Sequence, residues 1–340
     1  MPTIYMFDVV ITTYNRPKKV KELIIQLLGL NTNFINKIII VDSSELEDYH
    51  HKSNEQIIYL SSSHKNQPYQ RFLGFSVSKA DFILFLDDDM EIIDLDVFKH
   101  LNSLLIQTNA EALALNFKNK FSNTSLSQIP KSNLFSNFSS LKTFKNWITG
   151  LPDLKEGKLG LCGNRGKHPK NIKEIEFIQG GAFVVKRESV YQNFNFQLFD
   201  LYENKLGKGE DAIIGYTLHV IGKVFFVPTP YFVHNDQNDS TYSTDIENYA
   251  KRVAFSRLYL SLEKTRLDNS SFLLAKLHYN YYMFFRLFGI FVNYLIKPSL
   301  SRKKVLQGTI KGWIQAMKFS FDNKHTYKEK WINEVKKDLN

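Results

Sequence analysis

The chain has 340 residues, 43% of them hydrophobic, and a formal net charge of +10 at pH 7. Its single cysteine, Cys162, excludes a disulfide framework and a cysteine-rich zinc site. This length and composition provide enough apolar surface for one large domain, or for one domain with a smaller appendage. The positive charge favours a polyanionic partner or phosphorylated ligands, although a solvated lysine-rich surface would explain it equally well.

The first ninety residues alternate short apolar runs with amphipathic stretches. Strands are predicted at 7–12, 37–41, 57–60 and 81–86, and helices at 18–30 and 69–79. Continuous apolar strands separated by helices predict a parallel sheet that is covered on both faces. Because ligands bind such sheets at the carboxyl ends of the strands, we expect the polar groups there to converge on one edge. These groups are Thr12, Tyr14, Asp42 and the acidic run at 87–89.

The rest of the chain divides into three parts. Residues 118–175 are rich in Ser, Asn, Lys and Gly, and we interpret them as a long variable connection that folds over the site. Regular structure is predicted again at 175–185, with a helix at 212–220 and a strand at 223–227. We therefore predict an α/β domain over residues 1–244 and a basic, aromatic, mostly helical region over 245–340.

The sequence predicts neither a secretion signal nor a membrane-spanning helix. The first residues lack the basic and apolar regions of a secretion signal, and the most apolar segment, 283–296, contains Arg286 and Asn293. We therefore expect a cytoplasmic protein. The apolar faces of the C-terminal region also carry Lys and Arg, which is typical of helices that lie on an anionic bilayer. Packing against the α/β domain and a homo-oligomer interface are the alternatives.

The acidic run Asp87, Asp88 and Asp89 directly follows a buried strand. Neighbouring carboxylates raise one another's pKa, and a bound divalent cation removes that repulsion. Oxygen ligands suit Mg²⁺ or Mn²⁺, which also bridge substrate phosphates. An acidic, solvated turn is the alternative interpretation.

This run resembles the Asp-X-Asp element of GT-A glycosyltransferases, and the chain around it resembles glycosyltransferase family two. Other segments similar to that family lie, in its order and spacing, at 10–16, 39–44, 70–74, 179–187, 209–215 and 227–234. Phe72 stands where the family usually has Asn, so only Arg71 and Gly74 are carried over from the segment at 70–74.

The resemblance implies an α/β GT-A fold, with a Rossmann-like nucleotide-binding mixed sheet flanked by helices and here a helical C-terminal extension. It also implies an inverting, hexosyltransferase-type enzyme that uses a nucleotide-diphosphate sugar, with UDP favoured, and Mn²⁺ or Mg²⁺ as cofactor. The implied acceptor is a hydroxyl of a cell-surface or lipid-linked glycan or of a glycoprotein. The enzyme would act in polysaccharide biosynthesis for the cell envelope, peripherally at the inner face of the cell membrane.

The resemblance also implies roles for individual residues. Asp89 and His234 would bind the metal, and Asp87 would reach the metal or the ribose through water. The implied ligands of the nucleotide sugar are Thr12, Tyr14, Asp42, Arg71, Asp87, Asp88, Gly180 and Gly181. The alternatives are purely structural roles: core packing for Tyr14 and a helix cap for Asp42.

Asp211 is the predicted general base, because a helix N-terminus keeps a carboxylate ionised and a single base suffices for an inverting displacement. Glu210 beside it would hold the acceptor or a neighbouring group. A simple capping role for either acid is the alternative.

Three other functions compete with this one. A catalytically inactive nucleotide-sugar-binding scaffold would keep the same motifs. A nucleic-acid-binding protein would suit the charge, but the sequence has no recognition motif, so we expect no nucleic acid. A nucleotidyltransferase would need a glycine-rich phosphate loop near the N-terminus, and residues 12–17 contain no glycine.

Overall fold

The computed structural model describes residues 4–30, 33–45, 55–120, 154–235, 245–319 and 324–339. The strands are β1 Phe7–Thr13, β2 Ile35–Asp42, β3 Ile57–Ser61, β4 Phe82–Asp87, β5 Met90–Ile92, β6 Ala112–Asn119, β7 Lys173–Glu174, β8 Ala182–Lys186 and β9 Val224–His234. The helices are α1 Pro17–Gly29, α2 Gln67–Val77, α3 Val97–Thr108, α4 Arg187–Asn193, α5 Gln197–Glu203, α6 Glu210–Ile221, α7 Ile246–Leu267, α8 Phe272–Ile296, α9 Leu300–Met317 and α10 Lys324–Leu339.

Within these residues the strands form one mixed sheet in the order β3-β2-β1-β4-β8-β6-β9-β5, with β7 paired to β9. The strands β1 to β4 are parallel, as the alternation of strands and helices predicts. The sheet as a whole is mixed, as the resemblance to the family implies, because β8 runs against both β4 and β6. A further parallel pair is formed by β6 and β9. The regular structure predicted at 175–185 is a strand only from Ala182 onward.

Both faces of the sheet are covered by apolar packing. Every residue of β1 is buried, so that its side chains serve two cores on opposite faces. Val9 packs in the core under α1 and α3, and Val10 packs in the core under α2. A Cβ on Gly74 of α2 would lie 2.6 Å from Cγ1 of Val10, so the absence of a side chain allows this helix to approach the sheet closely.

The C-terminal helices pack back onto the α/β domain. In α7, Phe255 and Tyr259 share a core with residues of α5 and α6, and the Tyr259 hydroxyl accepts a 2.8 Å hydrogen bond from Asn195 Nδ2. Helix α9 packs closely against α7. A Cβ atom added at Gly308 or Gly312 of α9 would clash with a backbone oxygen of α7, so the two glycines allow this close approach. Of the three alternatives for this region, packing therefore describes α7 and, through it, α9.

The last helix, α10, returns to the first half of the chain. Trp331 is 1% exposed and packs against Tyr69 of α2 and Phe199 of α5. The Tyr69 hydroxyl donates a 2.9 Å hydrogen bond to Asp338 Oδ2. The α/β core is thus completed by residues from the end of the helical region.

The outer face of α8 has no such cover within the described residues. Large apolar side chains at helical spacing are exposed along it: Leu273, Leu277, Phe284, Phe288, Phe291 and Leu295. None of the helices in the described ranges has the length and apolar character needed to cross a bilayer. Most of the predicted connection at 118–175, and the boundary predicted at 244, lie outside the described residues.

Candidate active site

The carboxyl ends of the first parallel strands place the predicted nucleotide residues side by side. In the sheet register Thr12 of β1 pairs with Asp87 of β4, and Thr13 pairs with Asp42 of β2. Tyr14, directly after β1, is half-buried, and its hydroxyl accepts a 3.0 Å hydrogen bond from Lys65 Nζ. A shallow polar edge therefore runs from β2 to β4, with an aromatic ring beside it.

The repulsion within the acidic run is relieved in part by the chain itself. Arg16 Nη1 lies 2.9 Å from Asp88 Oδ1 and 3.1 Å from Asp89 Oδ2. Asp88 also accepts a 2.7 Å hydrogen bond from Thr13 Oγ1. Burial raises the pKa of Asp88, and these two partners only oppose that effect. The sequence predicted that a bound cation would relieve this repulsion, and it did not identify Arg16, which supplies part of the positive charge.

The carboxylate of Asp87 is held by two residues of α2, Arg71 and Gln67. Its Oδ1 accepts hydrogen bonds from Arg71 Nη2 at 3.0 Å and from Gln67 Nε2 at 3.1 Å. Burial raises the pKa of Asp87 to about 6, and the charges of Asp89 and Asp88 add to this against the opposing charge of Arg71. The carboxylate of Asp87 would therefore gain from a further cation nearby.

The predicted metal ligands Asp89 and His234 are brought together by the pairing of β5 with β9, in which Met90 lies opposite His234. Asp89 Oδ1 is buried, accepts no hydrogen bond within the described residues, and lies 3.2 Å from His234 Nε2. Burial alone would raise the pKa of Asp89, but His234, Arg16 and Lys19 together outweigh it and lower the pKa.

This donor pair fits a divalent ion. Two donors bound about 2.1 Å from one ion at a right angle are about 3 Å apart, close to the observed separation. The described part of the chain contains no group of three or more His, Cys, Asp or Glu that could hold a metal. An ion here would thus need oxygens from phosphate or water, which is the usual arrangement for Mg²⁺ at a nucleotide.

Arg71 connects the acidic run to the start of α6. It is 3% exposed, and besides its bond to Asp87 it donates from Nη1 to Glu210 Oε1 at 2.7 Å. The other oxygen of Glu210 accepts a hydrogen bond from the Tyr202 hydroxyl. Both carboxylate oxygens of Glu210 and both terminal nitrogens of Arg71 are therefore engaged within the protein. In this structure Arg71 positions two acids, and its contact with a diphosphate stays a prediction.

Asp211 points away from Glu210, because adjacent residues of a helix face directions about 100° apart. Its Oδ2 accepts a 2.6 Å hydrogen bond from the N–H of Gly180, and Arg165 Nη2 lies 3.0 Å from its Oδ1. Burial alone would raise the pKa of Asp211, but Arg165, Arg71 and the N–H of Gly180 together outweigh it, so the pKa is lowered and the carboxylate stays ionised at neutral pH. The N-cap of α6 is Gly209, so neither acid acts as a simple cap.

Gly180 and Gly181 link the two halves of the site. The carbonyl of Gly181 accepts a 2.8 Å hydrogen bond from the N–H of Asp87, while the N–H of Gly180 is bonded to Asp211. Gly181 has φ of +109°, which a side chain would strain. One short turn therefore fixes the distance between the acidic run and the predicted base.

The sequence interpretation missed Arg16, Gln67, Arg165 and Tyr202. Arg16 lies in the family-like segment at 10–16, between β1 and α1. That position at the carboxyl end of a strand was the signal that could have identified it as a site residue. Arg165 lies in the connection at 118–175, where no periodicity or motif indicates which residues turn inward.

The sequence matches the family described as glycosyl transferase family 2 over residues 8–190. The chain belongs to this family. The match covers more than half of the chain and includes the acidic run, which confirms the resemblance drawn from the motifs. No curated protein matches the sequence.

Solved structures of another glycosyltransferase share the fold. Residues 1–349 of TarS from S. aureus match with a TM-score of 0.52 and 15% sequence identity, over 92% of this chain and 80% of that chain. The same protein in complex with UDP-GlcNAc matches with a TM-score of 0.51 and 14% identity, over 92% of this chain and 81% of that chain. The GT-A fold, with a mixed sheet flanked by helices and a helical C-terminal region, is thereby confirmed for this family 2 chain.

Proposed function

We propose that the chain is an inverting glycosyltransferase of the hexosyltransferase type. It moves a sugar from a nucleotide-diphosphate sugar to a hydroxyl of a cell-surface or lipid-linked glycan or a glycoprotein. The observation that carries the proposal is the turn at Gly180 and Gly181, which holds Asp211 on one side and Asp87 on the other. UDP is the favoured nucleotide, because the TarS structure with a bound donor contains UDP-GlcNAc.

The nucleotide would lie along the edge formed by Thr12, Tyr14 and Asp42. Tyr14 offers a ring face to the base, and Asp42 can accept from a base N–H. Asp88 and Arg16, bonded to each other, fix the wall between this edge and the diphosphate.

Asp89 and His234, assisted by Asp87 through water, would hold Mn²⁺ or Mg²⁺. When bound, such an ion neutralises the diphosphate and stabilises the charge that it gains on leaving. The buried Asp89 Oδ1 beside His234 supports this assignment.

Asp211 would act as the general base. Its carboxylate takes the proton of the acceptor hydroxyl while that oxygen forms a bond to the anomeric carbon. The bond from this carbon to the diphosphate breaks in the same step, and its electron pair leaves with the phosphate oxygen, which inverts the anomeric centre. Glu210 acts through Arg71 as a positioning residue for this step.

The exposed face of α8 supports a further part of the proposal, association with an anionic membrane surface at the inner face of the cell membrane. Exposed lysines flank the apolar stripe at 276 and 297, and again in α9 at 303 and 304. Apolar area together with basic residues is the combination that holds a helix in the plane of such a surface. A homo-oligomer that covers the same stripe is the alternative.

The experiment that tests the transferase is the release of nucleotide from a panel of nucleotide sugars, with and without Mn²⁺, by the wild type and by Asp89→Ala. Slow, metal-dependent release from one donor that is lost in Asp89→Ala is the expected result. Asp96→Ala, which removes an exposed acid at the N-terminus of α3, is the matched control. Donor binding without any release would instead favour the inactive scaffold, and a folded protein that binds no donor would overturn the proposal.

A further inference from the structure

A cavity of about 550 Å³ adjoins the predicted base. Its walls are the segment at 154–167, the turn that leads into α6, and one face of α7. Arg165 forms part of the wall and also donates a hydrogen bond to Asp211. The cavity is therefore adjacent to the predicted general base. Its volume falls in the range of sites that enclose most of a small ligand.

The charged residues in this wall all have the same sign. They are Arg165, Lys167, Lys208 and Arg257, and none of the described lining residues is acidic. They come from separate segments, so the fold brings them together from three directions. A concave surface with several like charges and low-dielectric walls attracts counter-ions of the opposite sign.

Arg257 is the strongest indication of an anion site, because its guanidinium is partly buried and has no acidic partner among the described residues. Its Nη1 donates to the carbonyl of Cys162 at 3.1 Å, and it forms no ion pair within the described residues. Burial lowers the pKa of Arg257, and the nearby charges of Arg286 and Arg165 act in the same direction. A guanidinium nevertheless stays charged in proteins, so this one would gain from an anion brought into the cavity.

The two lysines of the wall, Lys208 and Lys167, also have no acidic partner among the described residues. Lys208 Nζ lies over the ring of Tyr249 and donates to its hydroxyl at 2.6 Å, so an aromatic residue fixes its position. Lys167 is exposed at the entrance. Neither lysine forms an ion pair with a described carboxylate, which leaves both charges available to a ligand.

We propose that this cavity binds a phosphate group of the acceptor, so that the acceptor is a glycan or polyol carrying a phosphodiester or phosphomonoester. The proposal rests on the proposed transferase function and names the class of its acceptor. A tetrahedral phosphate can accept from cations on several sides, whereas a planar carboxylate is satisfied by one guanidinium. Because Arg165 faces both the cavity and Asp211, a phosphate here competes for Arg165 and frees the base as the acceptor arrives.

The test is a calorimetric titration of the full chain, without donor, with a short phosphodiester-linked glycerol oligomer. Uncharged oligoglycerol and oligogalacturonate of the same length are titrated in parallel. We expect the phosphodiester to bind most tightly and its affinity to fall as salt is raised. Arg257→Gln and, separately, Lys167→Gln should each weaken binding about tenfold, the loss of one charge-assisted hydrogen bond.

Lys251→Gln is the matched control, since Lys251 lies on α7 outside the cavity wall and should leave the affinity unchanged. If Arg257→Gln does not fold, the exposed Lys167→Gln decides. Equal binding of the uncharged oligomer, tighter binding of the galacturonate, or no effect of Lys167→Gln would overturn the inference. Phosphodiester binding without donor turnover would overturn only the transferase, and turnover without phosphodiester binding would overturn only the acceptor class.

Discussion

Arg165 donates from a single guanidinium nitrogen to both carboxylate oxygens of Asp211, at 3.0 Å and 3.1 Å. The side chain of Arg165 is 32% exposed, whereas that of Asp211 is 10% exposed. A partly exposed cation therefore covers a largely buried carboxylate. The contact keeps Asp211 ionised, and it also occupies the oxygens that an acceptor hydroxyl would approach.

The pH dependence of transfer should report this contact. Arg165→Gln removes the larger of the two charges that lower the pKa of Asp211, the other being Arg71, so the pKa rises and the base becomes protonated at a higher pH. The acid limb of the rate profile should move up by about one pH unit. Lys170→Gln, an exposed charge in the same segment, should leave the limb in place. Coincident profiles for Arg165→Gln and the wild type would refute the assignment of Asp211 as the group on that limb.

Removing the base should separate transfer from donor binding. Asp211→Asn keeps the size of the side chain but cannot accept the acceptor's proton, so transfer should fall by about 10² to 10⁴. The dissociation constant for the donor nucleotide, measured by calorimetry, should change little. Glu188→Gln alters an exposed acid in the first turn of α4 and serves as the control. Full transfer activity in Asp211→Asn would point to another base.

The proposed metal ligands can be tested through the Mn²⁺ requirement. His234→Gln removes one of two adjacent donors, so the Mn²⁺ concentration for half-maximal donor hydrolysis should rise about tenfold or more. The stabilising effect of Mn²⁺ with UDP on thermal unfolding should weaken in parallel. His100→Gln, an exposed histidine of α3, is the control. An unchanged Mn²⁺ dependence in His234→Gln would exclude this histidine as a ligand.

The close approach of α2 to the sheet predicts a stability difference between two glycines. A methyl group on Gly74 would lie 2.6 Å from Val10 and 3.0 Å from Val41, so Gly74→Ala should lower the free energy of unfolding by about 1–3 kcal/mol. Gly29, at the end of α1, has no atom within 4 Å of the added Cβ. Gly29→Ala should be neutral or stabilising by up to about 1 kcal/mol. Denaturant unfolding of both variants tests the comparison, and equal losses would contradict it.

Membrane association can be tested by flotation with anionic vesicles at low salt. The wild type should float, and Phe288→Asp should reduce the floating fraction several-fold, because it places a charge in the apolar stripe of α8. Leu95 is 78% exposed outside that stripe, and Leu95→Asp should float like the wild type. A wild type that stays at the bottom of the gradient would remove the membrane surface from the proposal, and a stable dimer by light scattering would then explain the stripe.

The sequence predicted the features that depend on local patterns. Apolar runs that stop at polar residues predicted β1, β2 and β4, and the family motifs predicted the GT-A fold that the comparisons confirm. The reversed strand β8 could not be predicted from alternation, because its direction depends on the course of the connection before it. The residue roles in the site stay predictions, but the geometry adds what spacing could not: Glu210 faces Arg71, and Asp211 faces Arg165.

The bond between Tyr69 and Asp338 joins residues that are 269 positions apart in the chain. Closing so long a loop is entropically unfavourable and is compensated only when the surrounding contacts form together. The face of the sheet beneath α2 should therefore become protected from hydrogen exchange late in folding, after α10 has docked. A boundary placed at residue 244 to separate the α/β part from the helices would cut through a single cooperative unit, and a fragment ending there would leave the surface around Tyr69 open to aggregation.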